Sequence, residues 1–422
     1  MPEVKLLTKR IGKINPLSID DAINQGSYEQ LKKAVKMDGI SIIEAVETAG
    51  LRGRGGAGFP MHLKMMSVAK QENKPKYVVC NADEGEPGNF KDRYLMEHDP
   101  HLVIEGLLIA AYAMGADKGF IYIRGEYNQA ISIMKYAVDE AKEKGFIGKD
   151  ILGSGFDFEL EVRRGAGSYV VGEEFAMIES IEGKAGRTRV KPPFPSDVGV
   201  FGKPTLLNNV ETFCNLPIIL EKGAEYFAGI GTHSSKGTKL ISISGNVNKP
   251  GVYEVPFGVT LRDAIDTLGG GVTTGQTIKM VQLGGACGPI IPEFMLDLQI
   301  DYDRFEEFES KTGAGAIIVM DDRQDLFEVL NRIVDFFEHE SCGRCTPCRE
   351  GHVHVKRLMR KFLDYSSDSK DLYQLENLAR TMHQTSLCGL GQSSPISIIS
   401  TLGYFRDEYH DRMMVEGGTG ND

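Results

Sequence analysis

Three cysteines, Cys342, Cys345 and Cys348, follow one another at C-x2-C-x2-C spacing, and the next cysteine, Cys388, comes 40 positions later. Thiolates are soft ligands for iron and zinc. A cubane iron–sulfur cluster takes one thiolate per iron, so a short turn can wrap three corners while a distant cysteine closes the fourth. A four-cysteine structural zinc site usually pairs two C-x2-C knuckles, and here the second knuckle is missing. The spacing therefore predicts a 4Fe-4S cluster on Cys342, Cys345, Cys348 and Cys388, with a zinc-stabilised scaffold as the competing reading. Arg344 and Arg349 flank these cysteines. Positive charge beside an anionic cluster favours its reduced state and raises its potential, unless both arginines face solvent. Cys80, Cys214 and Cys287 lack ligand spacing and read as small buried hydrophobes.

A cluster moves single electrons, and something must supply them. The stretch GAGSYVVGEE, Gly165 to Glu174, follows an expected strand and opens an expected helix, where free backbone N–H groups can meet a phosphate. It is not the G-x-G-x-x-G fingerprint, because Gly172 comes late and Glu173 and Glu174 follow it directly. A second run, GRGGAG at 53–58, carries Arg54 and is followed by Lys64, adding donors and positive charge. Two loops imply two phosphate-bearing ligands or one large one; glycine turns that merely allow close packing are the alternative. Asn81, Asp83, Glu84 and Glu86 stand at the carboxyl end of the first expected strand, where open α/β sheets bind ligands. Such an acidic lining suits sugar hydroxyls and repels a 2′-phosphate, so it points to NAD rather than NADP. Phe59, Tyr169 and Phe194 offer flat surfaces for adenine or nicotinamide, or ordinary core packing.

The elements that must position these residues can be read from periodicity and punctuation. Tyr77–Ala82 reads as a strand, followed by a helix that Asp99 caps and Pro100 begins; Phe120–Arg124 and then Tyr127–Lys144 form a second unit; Phe156–Val162 and a helix ending at Ile181 form a third. Three such units predict an α/β fold on an open Rossmann-like parallel sheet. Residues 191–204 are too rich in Pro and Gly for regular structure and are expected to line a site, with Thr205–Leu207 a spacer before NNVET. From Lys239 the texture becomes that of a small α+β domain with a helix over Thr260–Leu268, and four helices follow: Leu326–Glu338, Gly351–Leu363, Leu372–His383 and Ile396–Tyr409. These suggest a bundle around the cysteines. The expected divisions are 1–62, an N-terminal helical segment ending in the glycine run; 63–235, the α/β domain; 236–325, the small domain; 326–415, the bundle; and 416–422, a mobile tail.

Composition agrees with a globular chain: 422 residues, 41% hydrophobic and 25% charged, more than one core usually holds. The net charge of −11 argues against duplex nucleic acid as a partner. The longest apolar run, Gly106–Ala116, is short of the roughly 18–20 residues a membrane span needs, and Met1–Lys13 has no apolar signal core. A reducing, cytoplasmic setting is expected.

At this point a family resemblance covers nearly the whole chain. The runs ESCGRCTPCREG from Glu340, SLCGLG around Cys388, LRGRGGAGFP, NADEGEPG, KPPFP and NNVET together resemble the NADH-oxidising flavoprotein subunit of respiratory complex I. The resemblance implies FMN held by Gly53, Arg54, Gly55, Lys64, Asn81, Asp83, Glu84, Gly172, Glu173, Glu174, Asn208 and Asn209. It implies NADH against Gly56, Phe59, Lys64, Glu86, Tyr169, Glu174 and Phe194, with Glu86 and Glu174 positioning it. Hydride then passes directly to FMN without a protein acid or base, and single electrons pass to the 4Fe-4S cluster, partner clusters and quinone. A β-grasp-like SLBB character for the small domain is implied too. So are a thioredoxin-like 2Fe-2S partner, a large iron–sulfur partner subunit, and a place in the peripheral arm of a membrane-bound complex, on the cytoplasmic face in a bacterium.

Two departures from the family stand out. Val171 replaces a cysteine, and Met65, Met66 and Ser67 stand where an aromatic-bearing stretch is common, leaving one wall of the adenine sandwich open. Closely similar subunits serve NAD-reducing hydrogenases and NAD-dependent formate dehydrogenases, often fused to extra modules that this chain lacks. Complex I is therefore favoured over them. Gly85, between Glu84 and Glu86, suggests a peptide that turns with flavin redox state, or a glycine kept for a tight turn.

Overall fold

The computed structural model describes residues 3–306 and 313–414; the tail at 416–422, expected to be mobile, lies outside the described residues. Four parallel strands form the central sheet in the order β3-β2-β1-β4: β1 Tyr77–Ala82, β2 Lys118–Ile123, β3 Glu159–Arg164 and β4 Thr205–Asn209. β1 and β2 are near-continuous apolar runs because helices cover both faces of the sheet. β3 alternates buried and exposed residues along ELEVRR, as an edge strand does, and begins at Glu159 rather than Phe156. Phe158 is spent on a bridge to Gly148. β4 corrects the reading of Thr205–Leu207 as a spacer: these residues pair with Tyr77–Val79, and Asn208 and Asn209 end the strand beside Cys80 and Asn81.

Helix Pro100–Met114 starts as expected, with the Asp99 carboxylate accepting the Leu102 N–H at 3.2 Å, and stops at Gly115 in the left-handed region. It is buried almost all round, since the N-terminal helices close its outer side. Helices Glu29–Ala34 and Gly39–Thr48 share one core with it and with one face of the sheet, so the first 60 or so residues have no core of their own. Arg10 ties this segment down by a bidentate pair to the buried Asp99, at 2.9 and 3.0 Å. Helix Lys91–His98, unexpected from the sequence, forms because the Glu84 carboxylate accepts the N–H groups of Asp92 and Arg93 at its first turn.

The small domain is a mixed five-stranded sheet in the order β6-β5-β9-β7-β8, built from β5 Thr238–Gly245, β6 Gly251–Pro256, β7 Ile278–Leu283, β8 Ile290–Pro292 and β9 Ala316–Asp321. It has its own apolar core, including Ile243, Leu261, Val281 and Val319. The expected helix is a short α-turn, Leu261–Asp263, running into a π-helical turn, Ala264–Leu268. Helices Leu326–Glu340, Thr346–Leu363 and Ser369–Thr385 form the bundle, whose core continues into the second face of the parallel sheet. The fourth expected helix is broken at Phe405 into Ile396–Tyr404 and Arg406–Asp411.

Candidate functional site

Strand order places a topological switch between β1 and β4, because the chain leaves β1 for β2 and β3 on one side and returns to β4 on the other. A cleft of about 830 Å³ opens there. Its walls are the glycine run at 53–59, the carboxyl ends of β1 and β4, the turn at 172–174, the loop at 188–196 and Leu387, Cys388, Gly389 and Gln392 of the bundle. The volume falls within the roughly 300–1,000 Å³ of small-molecule sites.

Gly53, Gly55 and Gly172 bring bare backbone to the wall: a Cβ on Gly55 would lie 3.0 Å from the Asn209 Cβ, and one on Gly172 would lie 3.6 Å from Asp83 Oδ2. Asn208 Nδ2 and Asp83 Oδ2 are buried polar atoms without a protein partner. Burial, outweighing the nearby Arg124, pushes the Asp83 carboxyl up to about 8, so it is a proton-bearing donor at neutral pH. Lys64 Nζ stands 3.4 Å from Glu174 Oε2 and the same distance from the Leu207 carbonyl. Phe59 and Phe194 line the mouth, each about half exposed.

Other expected ligands are spent on the scaffold. The Arg54 side chain is wholly buried and donates to the carbonyls of Arg52, Lys236 and Thr238, with its guanidinium over the Phe257 ring, so it faces the small domain. The Glu84 carboxylate caps helix Lys91–His98, and its carbonyl accepts from Arg124 Nη1 at 2.7 Å, a bond that any rotation of the Glu84-Gly85 peptide must break. The N-terminus of helix Glu174–Ile181 is not a free anion site, because the Glu173 carboxylate already accepts the N–H groups of Phe175 and Ala176. Asn81 braces the turn instead, donating to the Gly172 carbonyl and accepting the Asp83 N–H.

The Asn209 amide points into a buried charge network: it accepts from Lys91 and donates to Asp92, while Glu211 pairs with both Lys91 and Lys239. Gly56 packs toward Gly313 rather than into the cleft. Glu86 and Tyr169 also lie outside its lining: the tyrosine hydroxyl donates to Glu86 Oε2 at 2.5 Å, and the Cys287 N–H donates to Glu86 Oε1 at 3.0 Å. The Tyr169 ring stands edge-on to Phe336 and Phe337.

Lys191 lies in the segment expected to line a site, but sequence reasoning gave it no role; its ammonium pairs with both Glu173 and Glu174. Burial alone would raise the Glu174 carboxyl, but Lys64 and Lys191 hold it below its ordinary value. Sequence reasoning also missed Leu63, which with Ser67 occupies the wall where an aromatic was expected, while Met65 turns into the core. Val171 packs as an ordinary buried apolar residue.

The four spaced cysteines come together. Cys342, Cys345 and Cys388, each partly buried, pack against the same apolar core that contains the buried Cys348, and none is in a disulfide. Ser341 Oγ lies 3.2 Å and His352 Nδ1 3.6 Å from Cys348 Sγ. Among the described residues no group of three or more His, Cys, Asp or Glu is arranged to hold a single metal ion. Arg344 and Arg349 do not point at these sulfurs: Arg344 donates to the Thr188 carbonyl at 2.7 Å, tying the bundle to the cleft loop, and Arg349 donates to Gly343 and Glu350. Cys80 and Cys214 are core residues, but Cys287 is half-buried against Glu86.

Comparison with known proteins adds to this geometry. Residues 46–218 match the Nuo51 FMN-binding domain, residues 240–290 the SLBB domain, and residues 328–412 the NADH-ubiquinone oxidoreductase-F iron-sulfur binding region. The sequence is 46% identical to the F 2 subunit of NADH-quinone oxidoreductase from Rhizobium meliloti (strain 1021) over 91% of each chain. It is 44% identical to HndC of the NADP-reducing hydrogenase from Solidesulfovibrio fructosivorans, over 96% of this chain and 83% of that one. The fold is similar to a chain of an NAD+-reducing [NiFe]-hydrogenase crystallised in the H2-reduced state, with a TM-score of 0.82 and 35% identity over 91% of this chain; the match spans 64% of that longer chain.

Proposed function

The chain belongs to the family of NADH-quinone oxidoreductase F subunits, and on that premise we propose which of its residues take in reducing equivalents and pass them on. It is an NADH-oxidising flavoprotein that uses FMN and one 4Fe-4S cluster, which sets aside the zinc-scaffold reading. FMN, when bound, accepts hydride from NADH and releases electrons singly, chemistry that no side chain here supplies.

The donor set fits a flavin nucleotide. Bare backbone at Gly53, Gly55 and Gly172, the unpartnered amide of Asn208 and the proton-bearing Asp83 line or adjoin one cleft. Those residues hold FMN in this reading. Lys64 supplies positive charge, with Phe59 and Phe194 as apolar walls for NADH at the mouth. Glu174, kept ionised by Lys64 and Lys191, meets the nucleotide's ribose. Glu86 and Tyr169 act from behind the NADEGE turn by fixing its shape: a Cβ on Gly85 would stand 3.0 Å from the Tyr169 ring. Cys342, Cys345, Cys348 and Cys388 hold the cluster.

The observation that carries this reading is that a single cleft is lined both by the glycine walls and by Cys388, so in this reading the two cofactors share one cavity. Purified protein should be brown, release yellow FMN on denaturation and reduce ferricyanide with NADH. A colourless protein carrying zinc overturns the assignment.

Partner subunits of a larger complex complete the path; in this reading they are a thioredoxin-like 2Fe-2S protein and a large iron–sulfur protein in the peripheral arm of a membrane-bound complex, on its cytoplasmic face. Among the described residues no helix is long and apolar enough to cross a membrane. The 44% identity to HndC over 96% of the chain favours one second reading, the diaphorase component of a hydrogenase. Identification of co-purifying subunits separates the two.

A further inference from the structure

Two serine hydroxyls, rather than the flanking arginines, lie beside the buried Cys348, and His352 Nδ1 stands 3.6 Å from its sulfur. Ser341 Oγ lies 3.2 Å from Cys348 Sγ and also accepts the Gly343 N–H at 3.4 Å, so its own proton is the one available to sulfur. Ser386, two residues before Cys388, is 5% exposed, and its Oγ has no hydrogen-bond partner among the described residues. Gly391 brings this hydroxyl to the same place: a Cβ there would fall 2.7 Å from Ser386 Oγ and 3.0 Å from Cys348 Cβ. A buried hydroxyl without an acceptor is costly, and the sulfur-rich pocket is the acceptor at hand. Both arginines are engaged with carbonyls or a carboxylate elsewhere.

We propose that the hydroxyls of Ser341 and Ser386 donate hydrogen bonds to the sulfurs of the cluster and thereby raise its reduction potential, setting how readily it takes an electron from the flavin. The inference rests on the cluster assignment above. One-electron reduction places one further negative charge on the cluster and its thiolates, and no proton moves. A donor to sulfur is bound more strongly by the more negative state, so it favours reduction. Loss of the donor must lower the potential.

The test is a redox titration of the intact holoprotein followed by electron paramagnetic resonance, on Ser341→Ala, Ser386→Ala and the double variant. Each single change should lower the reduced-to-oxidised ratio at a fixed applied potential by roughly 3- to 10-fold, a tenfold change being about 59 mV for one electron. The double variant should fall further. Ser341→Thr keeps the hydroxyl and should titrate like wild type, and the flavin midpoint should stay where it is in every variant. If Ser341→Ala fails to assemble a cluster, Ser386→Ala decides alone. A midpoint equal to wild type in the assembled alanine variants overturns the proposal, as does an equal shift in Ser341→Thr, which would mark packing as the cause. A wild-type protein without a cubane signal would instead overturn the cluster assignment itself.

Discussion

The Tyr169 hydroxyl donates to Glu86 Oε2 at 2.5 Å, and this bond ties the acidic turn after β1 to the aromatic edge of the bundle at Phe336 and Phe337. Burial pushes the Glu86 carboxyl up, and the hydroxyl opposes that shift by stabilising the charged form. Tyr169→Phe should therefore cost about 1–2 kcal/mol where Glu86 is ionised and less where it is protonated. Thermal melts of variant and wild type should differ more at pH 8 than at pH 5. An equal difference at both values contradicts the assigned bond.

Glu174 sits between Lys64 and Lys191 at the cleft wall, and its charge would oppose the 2′-phosphate of NADPH. Glu174→Gln should reduce the preference for NADH over NADPH by about tenfold in kcat/KM, equivalent to about 1.4 kcal/mol. An unchanged ratio assigns discrimination to another residue.

Arg54 holds the glycine run to the start of β5 and the residues before it through the carbonyls of Lys236 and Thr238. Arg54→Met strands three carbonyls and should cost about 3 kcal/mol or more, with FMN lost on gel filtration. Arg54→Lys should not rescue, because an ammonium cannot reproduce the planar fork. Full FMN occupancy and a wild-type melt in the lysine variant contradict this role.

Glu105 is buried, accepts the Gln30 and Leu31 N–H groups, and is pushed up to about 7 by burial from an ordinary value of 4.5. A carboxyl raised on folding binds more protons folded than unfolded, so its contribution to stability falls as pH rises from about 4.5 through about 7. Glu105→Gln should flatten the fall in melting temperature between pH 5 and pH 8. A slope equal to wild type shows that other groups carry the dependence.

What could be read from the sequence was local or repeated. The cysteine quartet was legible from spacing, β1 and β2 from apolar runs, and helix Pro100–Met114 from its cap. β4 was not, because five residues after Pro204 carry too little pattern to distinguish a strand from a spacer. The bracing contacts of Arg54 were not legible, because a cation among glycines suggests a phosphate and the carbonyls of Lys236 and Thr238 that it meets come from more than 180 positions away. The role of Lys191, in a segment expected to line the site, was not legible because its pairing with Glu173 and Glu174 exists only once the 188–196 loop lines the cleft. The cap of helix Glu174–Ile181 left a signal, a Glu one residue before the helix, that was taken as ligand lining instead.

The central claim is that one cleft joins NADH oxidation to a cluster closed by Cys388. Anaerobic titration of wild type and Cys388→Ala with NADH, read together by flavin absorbance and electron paramagnetic resonance, tests it most directly. In wild type, NADH should bleach the flavin and raise a reduced 4Fe-4S signal; in Cys388→Ala the flavin should still bleach and the cubane signal should be absent. A cubane signal that persists in Cys388→Ala, or a wild-type flavin that NADH leaves oxidised, would contradict the account.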